Sequence, residues 1–276
     1  MNSDLRQTTA TEGLATTRDG TRLAYSLQGD GAKRAVLVHS VAMDRQFWQP
    51  VAERLIGHAS VLLYDCRGHG KSDKPDRPYT VELFADDLAD LLDHVGWPKA
   101  LIGGASMGGC VALAFAAAYP ARTAALGLID TTAWYGPEAP KAWAERADKA
   151  QSTGLSSLID FQLTRWFGDK FRADHPDVVK QCVEIFLRND VPAYMQACRM
   201  LGAADLRGAL PRLTMPAAVV VGEEDYAAPP AMAEVLHRGI AGSTLTVLPK
   251  ARHLTPLEQP DTIAAELDRL LARSSQ

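Results

Sequence analysis

The chain lacks any apolar run near the roughly 18 residues that a membrane-spanning helix needs; the small-residue run 111–118 stops at Tyr119-Pro120. Cysteine is scarce. Cys66, Cys110, Cys182 and Cys198 are too far apart for C-x-x-C pairs, which speaks against a zinc ribbon and against a disulfide framework. Cationic excess is also missing, because Lys+Arg 29 against Asp+Glu 33 leaves a formal charge of −4. No global basic field is present to hold nucleic acid or an anionic membrane. Gly 21 and Pro 16 in 276 residues are too few for a collagen-like or low-complexity chain. No H-E-x-x-H or similar ligand spacing occurs, so neither a metal nor another cofactor is expected. Residues 1–12 are polar and without the basic-then-apolar layout of a secretory signal, which leads to the expectation of a frayed tail on a cytoplasmic protein.

What is present is ordinary globular material: 47% hydrophobic and 22% charged residues in a length suited to one or two domains. Short β-branched runs alternate with longer amphipathic ones, the layout of a mostly parallel sheet covered by helices. Strands are expected at 22–27, 35–39, 60–64, 100–103, 124–130, 217–221 and 244–248, and helices at 47–56, 81–95, 107–118, 231–238 and 261–271. Thr80 offers its hydroxyl to start the second of those helices. Between 132 and 216 the alternation stops and helix-like runs follow one another. The chain therefore reads as a core of 13–131 and 217–276 interrupted by a helical cap, a candidate lid over the carboxyl ends of the strands.

The sharpest local signal is Gly104-Ala105-Ser106-Met107-Gly108-Gly109, directly after a strand and directly before a helix. A serine in such a G-x-S-x-G turn is lifted clear of the sheet, and the following helix presents free N–H groups to a developing oxyanion. Its hydroxyl is a weak nucleophile until a base takes the proton, so a histidine oriented by a carboxylate is required. Of seven histidines, His253 follows the last strand and precedes the last helix, where a loop can reach the top of the sheet. The favoured carboxylate is Asp225, deep in the loop after strand 217–221 and followed by the stiffening Pro229-Pro230; Asp130, ending strand 124–130, is the rival. The backbone N–H groups of Val41 and Met107 are the expected oxyanion pair. Ser40, directly after His39 in that loop, has no glycine-like freedom and is expected to take a negative φ. A competing motif, Gly70-Lys71-Ser72, resembles the end of a phosphate-binding loop, but Asp65 occupies the place of its first glycine, so no nucleotide is expected.

These residues resemble the α/β-hydrolase superfamily over nearly the whole chain. Asp65-Cys66-Arg67-Gly68-His69-Gly70-Lys71-Ser72 is similar to its D-x-R-G-H-G-x-S segment. Within the superfamily the resemblance is to 3-oxoadipate enol-lactonases. The stretch Ser40 to Asp44 with Trp48 looks like their S-L-G-T-D…W loop, and the cap segments Arg165-Trp166-Phe167, Tyr194 to Cys198 and Asp205-Leu206-Arg207 look like their R-W-F and Y…C…D-L-R stretches. Val41-Ala42-Met43 in place of L-G-T, and Pro192, depart from that pattern. The resemblance implies an α/β-hydrolase fold and a serine hydrolase that opens a small enol-lactone through an acyl-serine.

A carboxylated lactone needs a local cation in an acidic protein, and the cap arginines Arg165 and Arg199 are candidates. Trp134, Trp143 and Trp166 are available to wall an apolar pocket, with Trp134 preferred because it follows the strand-to-cap junction. Ser40 completes the expected substrate-binding set. Two alternatives stand beside the lactonase: a carboxylesterase or C–C-bond hydrolase on another small acyl compound, and a ligand receptor with residual hydrolysis. The expected partner is a small molecule in each case.

Overall fold

The computed structural model describes residues 10–274. Within them, eight strands form one sheet in the order β1-β2-β4-β3-β5-β6-β7-β8. They are β1 (Thr11–Thr16), β2 (Arg22–Gln28), β3 (Lys33–Val38), β4 (Ala59–Tyr64), β5 (Ala100–Ala105), β6 (Thr123–Ile129), β7 (Ala217–Gly222) and β8 (Thr244–Leu248). β2 pairs antiparallel with both β1 and β4, and every other pairing is parallel. The strands near the middle are apolar at nearly every position because helices cover both faces; β5, β6 and β7 are buried throughout.

Seven strands lie within two residues of their expected places, and β1 was not expected. It is an edge strand with Ala15 as its one buried residue and Leu14 half exposed, so no apolar alternation marks it. Its ladder to β2 holds it. The expected tail over 1–12 must therefore be shortened: Thr11 and Glu12 already pair with Leu27 and Ser26, while 1–9 lie outside the described residues.

The helices of the core are α1 (Gln49–Leu55), α2 (Val81–His94) and α3 (Met107–Ala118). The Thr80 hydroxyl accepts the Leu83 N–H at 3.1 Å and starts α2. α3 is apolar all round and buried along most of its length, as a helix enclosed between sheet and neighbours must be. Between β6 and β7 come α4 (Ala139–Thr153), α5 (Ile159–Trp166), α6 (Asp169–Asp174), α7 (Pro176–Leu187) and α8 (Val191–Ala203), with no strand among them. The chain then returns through α9 (Pro230–Gly239), α10 (Thr255–Glu258) and α11 (Pro260–Arg273). None of these helices is long and apolar enough to cross a membrane.

Main-chain bonds close the base of the α4–α8 segment and tie it to the core. Trp134 bridges Asp205, the Leu206 N–H donates to the Ala133 carbonyl at 2.8 Å, and the N–H groups of His253 and Leu254 donate to the carbonyls of Arg165 and Trp166. The Gly70-Lys71-Ser72 turn folds onto its own acid, the Lys71 N–H donating to Asp65 at 2.8 Å.

Candidate active site

β5 enters α3 through a sharp turn at Ser106, whose φ of 54° and ψ of −116° leave the regions open to ordinary L residues. Two glycines make the turn possible. A Cβ on Gly104 would lie 2.0 Å from the Gly108 carbonyl oxygen, and one on Gly108 would lie 2.0 Å from that of Val38. The approach of helix to strand is closer than any side chain allows, and it presents the Ser106 hydroxyl at the mouth of the sheet.

The structure brings three of the expected residues into one chain of hydrogen bonds. His253 Nε2 lies 2.9 Å from Ser106 Oγ, and His253 Nδ1 lies 2.8 Å from Asp225 Oδ2. A carboxylate only accepts, so Nδ1 carries the proton and Nε2 is left to accept that of the serine. Asp225 Oδ1 in turn accepts the N–H groups of Ala227 and Ala228 at 2.7 and 2.9 Å, which fixes the carboxylate from behind. All three side chains are buried. Asp130 does not contact His253; its carboxylate accepts from Gly222 and from Thr255. Burial and the neighbouring Asp225 carboxylate push Asp130 well above the usual carboxylate range.

His39 is no base for Ser106. Its Nδ1–H donates to the Ser40 carbonyl at 2.8 Å and its Nε2 accepts the Cys66 N–H at 2.9 Å, so it is held neutral and shapes the loop after β3. In that loop Ala42, not Ser40, takes the left-handed conformation, at φ 60°. Ser40 therefore needs no glycine-like freedom. Neither the Val41 nor the Met107 N–H has a hydrogen-bond partner among the described residues, which leaves both donors free.

Ser106 and His253 open into a cavity of about 260 Å³. Ser40, Val41, Arg165 and Trp166 line it as expected residues, and Trp143 does so too. Trp134 and Arg199 do not. The Trp134 ring is covered by the Arg207 guanidinium, 3.6 Å from its centroid, and its backbone serves the Asp205 bridge. Arg199 points to solvent from the face of α8 opposite the buried Tyr194, Ala197, Cys198 and Leu201. The spacing of those apolar residues was the signal that Arg199 faces outward.

The residue the sequence reading missed is Arg146. It sits one helical turn after Trp143 on the same face of α4, donates through Nε to the Tyr194 hydroxyl at 2.6 Å and stacks over the Trp143 ring at 4.9 Å. Arg146 and Arg165 both face the cavity, and among the described residues neither pairs with a carboxylate. Glu138, the acid on the cavity wall, is exposed and paired with neither. Desolvation, then the charge of Arg146, lowers Arg165 from the usual guanidinium value. Two cations thus repel one another in the cavity that Ser106 lines, an arrangement that an anion relieves. Tyr135, Gln162, Tyr226 and Met232 complete the wall. Among the described residues no His, Cys, Asp and Glu cluster is arranged to hold a metal.

The chain matches the family model described as alpha/beta hydrolase fold over residues 36–260 and belongs to that family. More particularly, it is 31% identical over 252 residues to 3-oxoadipate enol-lactonase 2 of Acinetobacter baylyi, covering 91% of this chain and 93% of that protein. The crystal structure of the enol-lactonase from Burkholderia xenovorans LB400 is 34% identical, with a TM-score of 0.90, covering 94% of this chain and all (100%) of that one. A thermophilic esterase from Thermogutta terrifontis, solved with malate bound, is 32% identical with a TM-score of 0.89, over 95% of this chain and 98% of that one.

Proposed function

We propose that the protein opens a small carboxylated lactone, 3-oxoadipate enol-lactone or a close relative, through an acyl-serine. The observation that carries this reading is the pair of guanidiniums without carboxylate partners, Arg146 and Arg165, in the cavity that holds Ser106 and His253. An Arg fork binds a carboxylate in a bidentate way, and in a partly desolvated site that contact selects an anionic substrate in an acidic protein.

In the reaction Ser106 Oγ attacks the lactone carbonyl carbon while His253 Nε2 takes its proton, and Asp225 stabilises the imidazolium. The oxyanion that forms is held by the Val41 and Met107 N–H groups, each donor contributing about 3 kcal/mol. The ring C–O bond then breaks and its electron pair leaves as an enolate, which takes up a proton and becomes a ketone. Water, deprotonated by His253, attacks the acyl-serine; the acid is released and Ser106 recovers its proton. General acid–base help of this kind contributes ~10²–10⁴-fold.

A second reading is supported by the malate-bound esterase: a hydrolase of simple esters that carry a carboxylate. Kinetics with an enol-lactone, a saturated lactone and a short aryl ester separate the two. The lactonase reading expects the highest kcat/KM for the enol-lactone, and a preference for the aryl ester overturns it. Ser106→Ala should abolish turnover with the fold intact by circular dichroism; wild-type activity in that variant removes the acyl-serine.

A further inference from the structure

At the end of β6, three consecutive residues touch every segment that bears a member of the Ser106–His253–Asp225 chain. The Ile129 carbonyl accepts the Ser106 N–H at 2.9 Å, and the Thr131 hydroxyl donates to the Ser106 carbonyl at 2.7 Å. Between them, Asp130 faces the other two loops. Its Oδ1 accepts the N–H of Gly222, three residues before Asp225, at 3.1 Å. Its Oδ2 accepts the N–H and the hydroxyl of Thr255, two residues after His253, at 3.0 and 2.7 Å. The carboxylate is wholly buried, and no cation among the described residues pairs with it. Its backbone is left-handed at φ 48°, a conformation that costs free energy in any residue other than glycine and that aspartate, like asparagine, tolerates better than most.

Taking this carboxyl group out of water, with the Asp225 carboxylate nearby, is expensive and favours its protonated form, and three donors offset that cost. An apolar residue in its place would leave the Gly222 and Thr255 N–H groups buried without partners. The sharing of one carboxylate between two loops matters for geometry, because Asp225 and His253 reach each other from separate strands and a misplacement of about 1 Å costs ~10²-fold in rate.

We propose that Asp130 is a positioning residue that holds the Asp225 and His253 loops in register, so that its carboxylate sets the geometry of proton transfer from Ser106. This rests on the serine-hydrolase reading above. Asp130 acts through Gly222 and Thr255 and touches no substrate.

The test is the rate at which a fluorophosphonate modifies Ser106, in which Oγ bonds to phosphorus, fluoride leaves and His253 takes the serine proton. Saturation kinetics resolve the maximal labelling rate from probe binding. Thr255→Val, which keeps shape and loses the hydroxyl, should lower the maximal rate roughly 10-fold with probe binding within about 2-fold, and Thr255→Ser should recover most of that loss. Asp130→Ala should lose roughly 100-fold, and adding Thr255→Val to it should cost nothing more, because the partner is already gone. Wild-type labelling rates in folded Thr255→Val, a Thr255→Ser variant as slow as Thr255→Val, or additive losses in the double variant would each overturn the inference. If Asp130→Ala does not fold, the Thr255 pair decides alone. A wild-type protein that the probe does not label overturns the proposed function and this inference with it. A labelled wild type with indifferent variants overturns the inference alone.

Discussion

The paired cations of the cavity make the most quantitative prediction. Arg146→Met and Arg165→Met each remove a guanidinium and keep an apolar stem, so that Trp143 remains covered in the first case and Phe161, 3.7 Å below the Arg165 guanidinium, in the second. A hydrogen bond to a charged group is worth about 1.5–3 kcal/mol. At 4 Å and an effective dielectric of 20, the bare Coulomb energy of ~4 kcal/mol sets an upper limit. Each variant should therefore lose roughly 10- to 150-fold in kcat/KM on a carboxylated enol-lactone. On the methyl ester of the same lactone, where no anion is present, the loss should stay below about 3-fold. Comparison of acid with ester in each variant cancels any shift of α4 or α5 that affects both substrates. Arg199→Met, on the solvent face of α8, should leave the ratio at its wild-type value. Equal losses on acid and ester would refute anion recognition by these arginines, and a change of ratio in Arg199→Met would place the anion elsewhere.

The helix–strand contact beneath Ser106 predicts that Gly108→Ala destabilises the fold by about 1–3 kcal/mol or more in urea and lowers activity, because its Cβ would meet the Val38 carbonyl at 2.0 Å. Gly57→Ala, with nothing within 4 Å of the added carbon, should fall within about 0.5 kcal/mol of wild type, and similar losses in both would refute the steric account. Acid should weaken the fold through the buried histidines. Burial pushes His69 down to about 3 and also lowers His39, whereas the unfolded value is near 6.5. For His69 the unfolded chain then binds the extra proton between those values, so this contribution is complete above pH 6.5 and declines toward pH 3, at up to about 1.4 kcal/mol per pH unit. Urea midpoints at pH 7 and pH 5 should converge for wild type and His69→Gln; parallel curves would refute the assignment.

The strands, the sharp turn at Ser106 and the loops that bring Ser106, Asp225 and His253 together were legible because each depends on local pattern: apolar runs, glycine at close approaches, loops that follow strands. β1 was not legible, since an edge strand with one buried side chain is held by its ladder and not by its own composition. Loop position favoured Asp225 over Asp130 without fixing where either carboxylate points. Both follow neighbouring parallel strands, and the direction in which each carboxylate points is set by the loops that surround it.

A sheet-and-helix core broken by helices, and a serine on a sharp turn, follow from periodicity and glycine spacing, which are written residue by residue. Tertiary structure alone decided which side chains share the cavity. Trp134 follows the strand yet turns to Arg207, while Arg146 and Arg165, on the separate helices α4 and α5, line the same cavity as Ser106. The charge of −4 required any anion to be caught locally, and folding placed two cations without carboxylate partners in the cavity that Ser106 and His253 line.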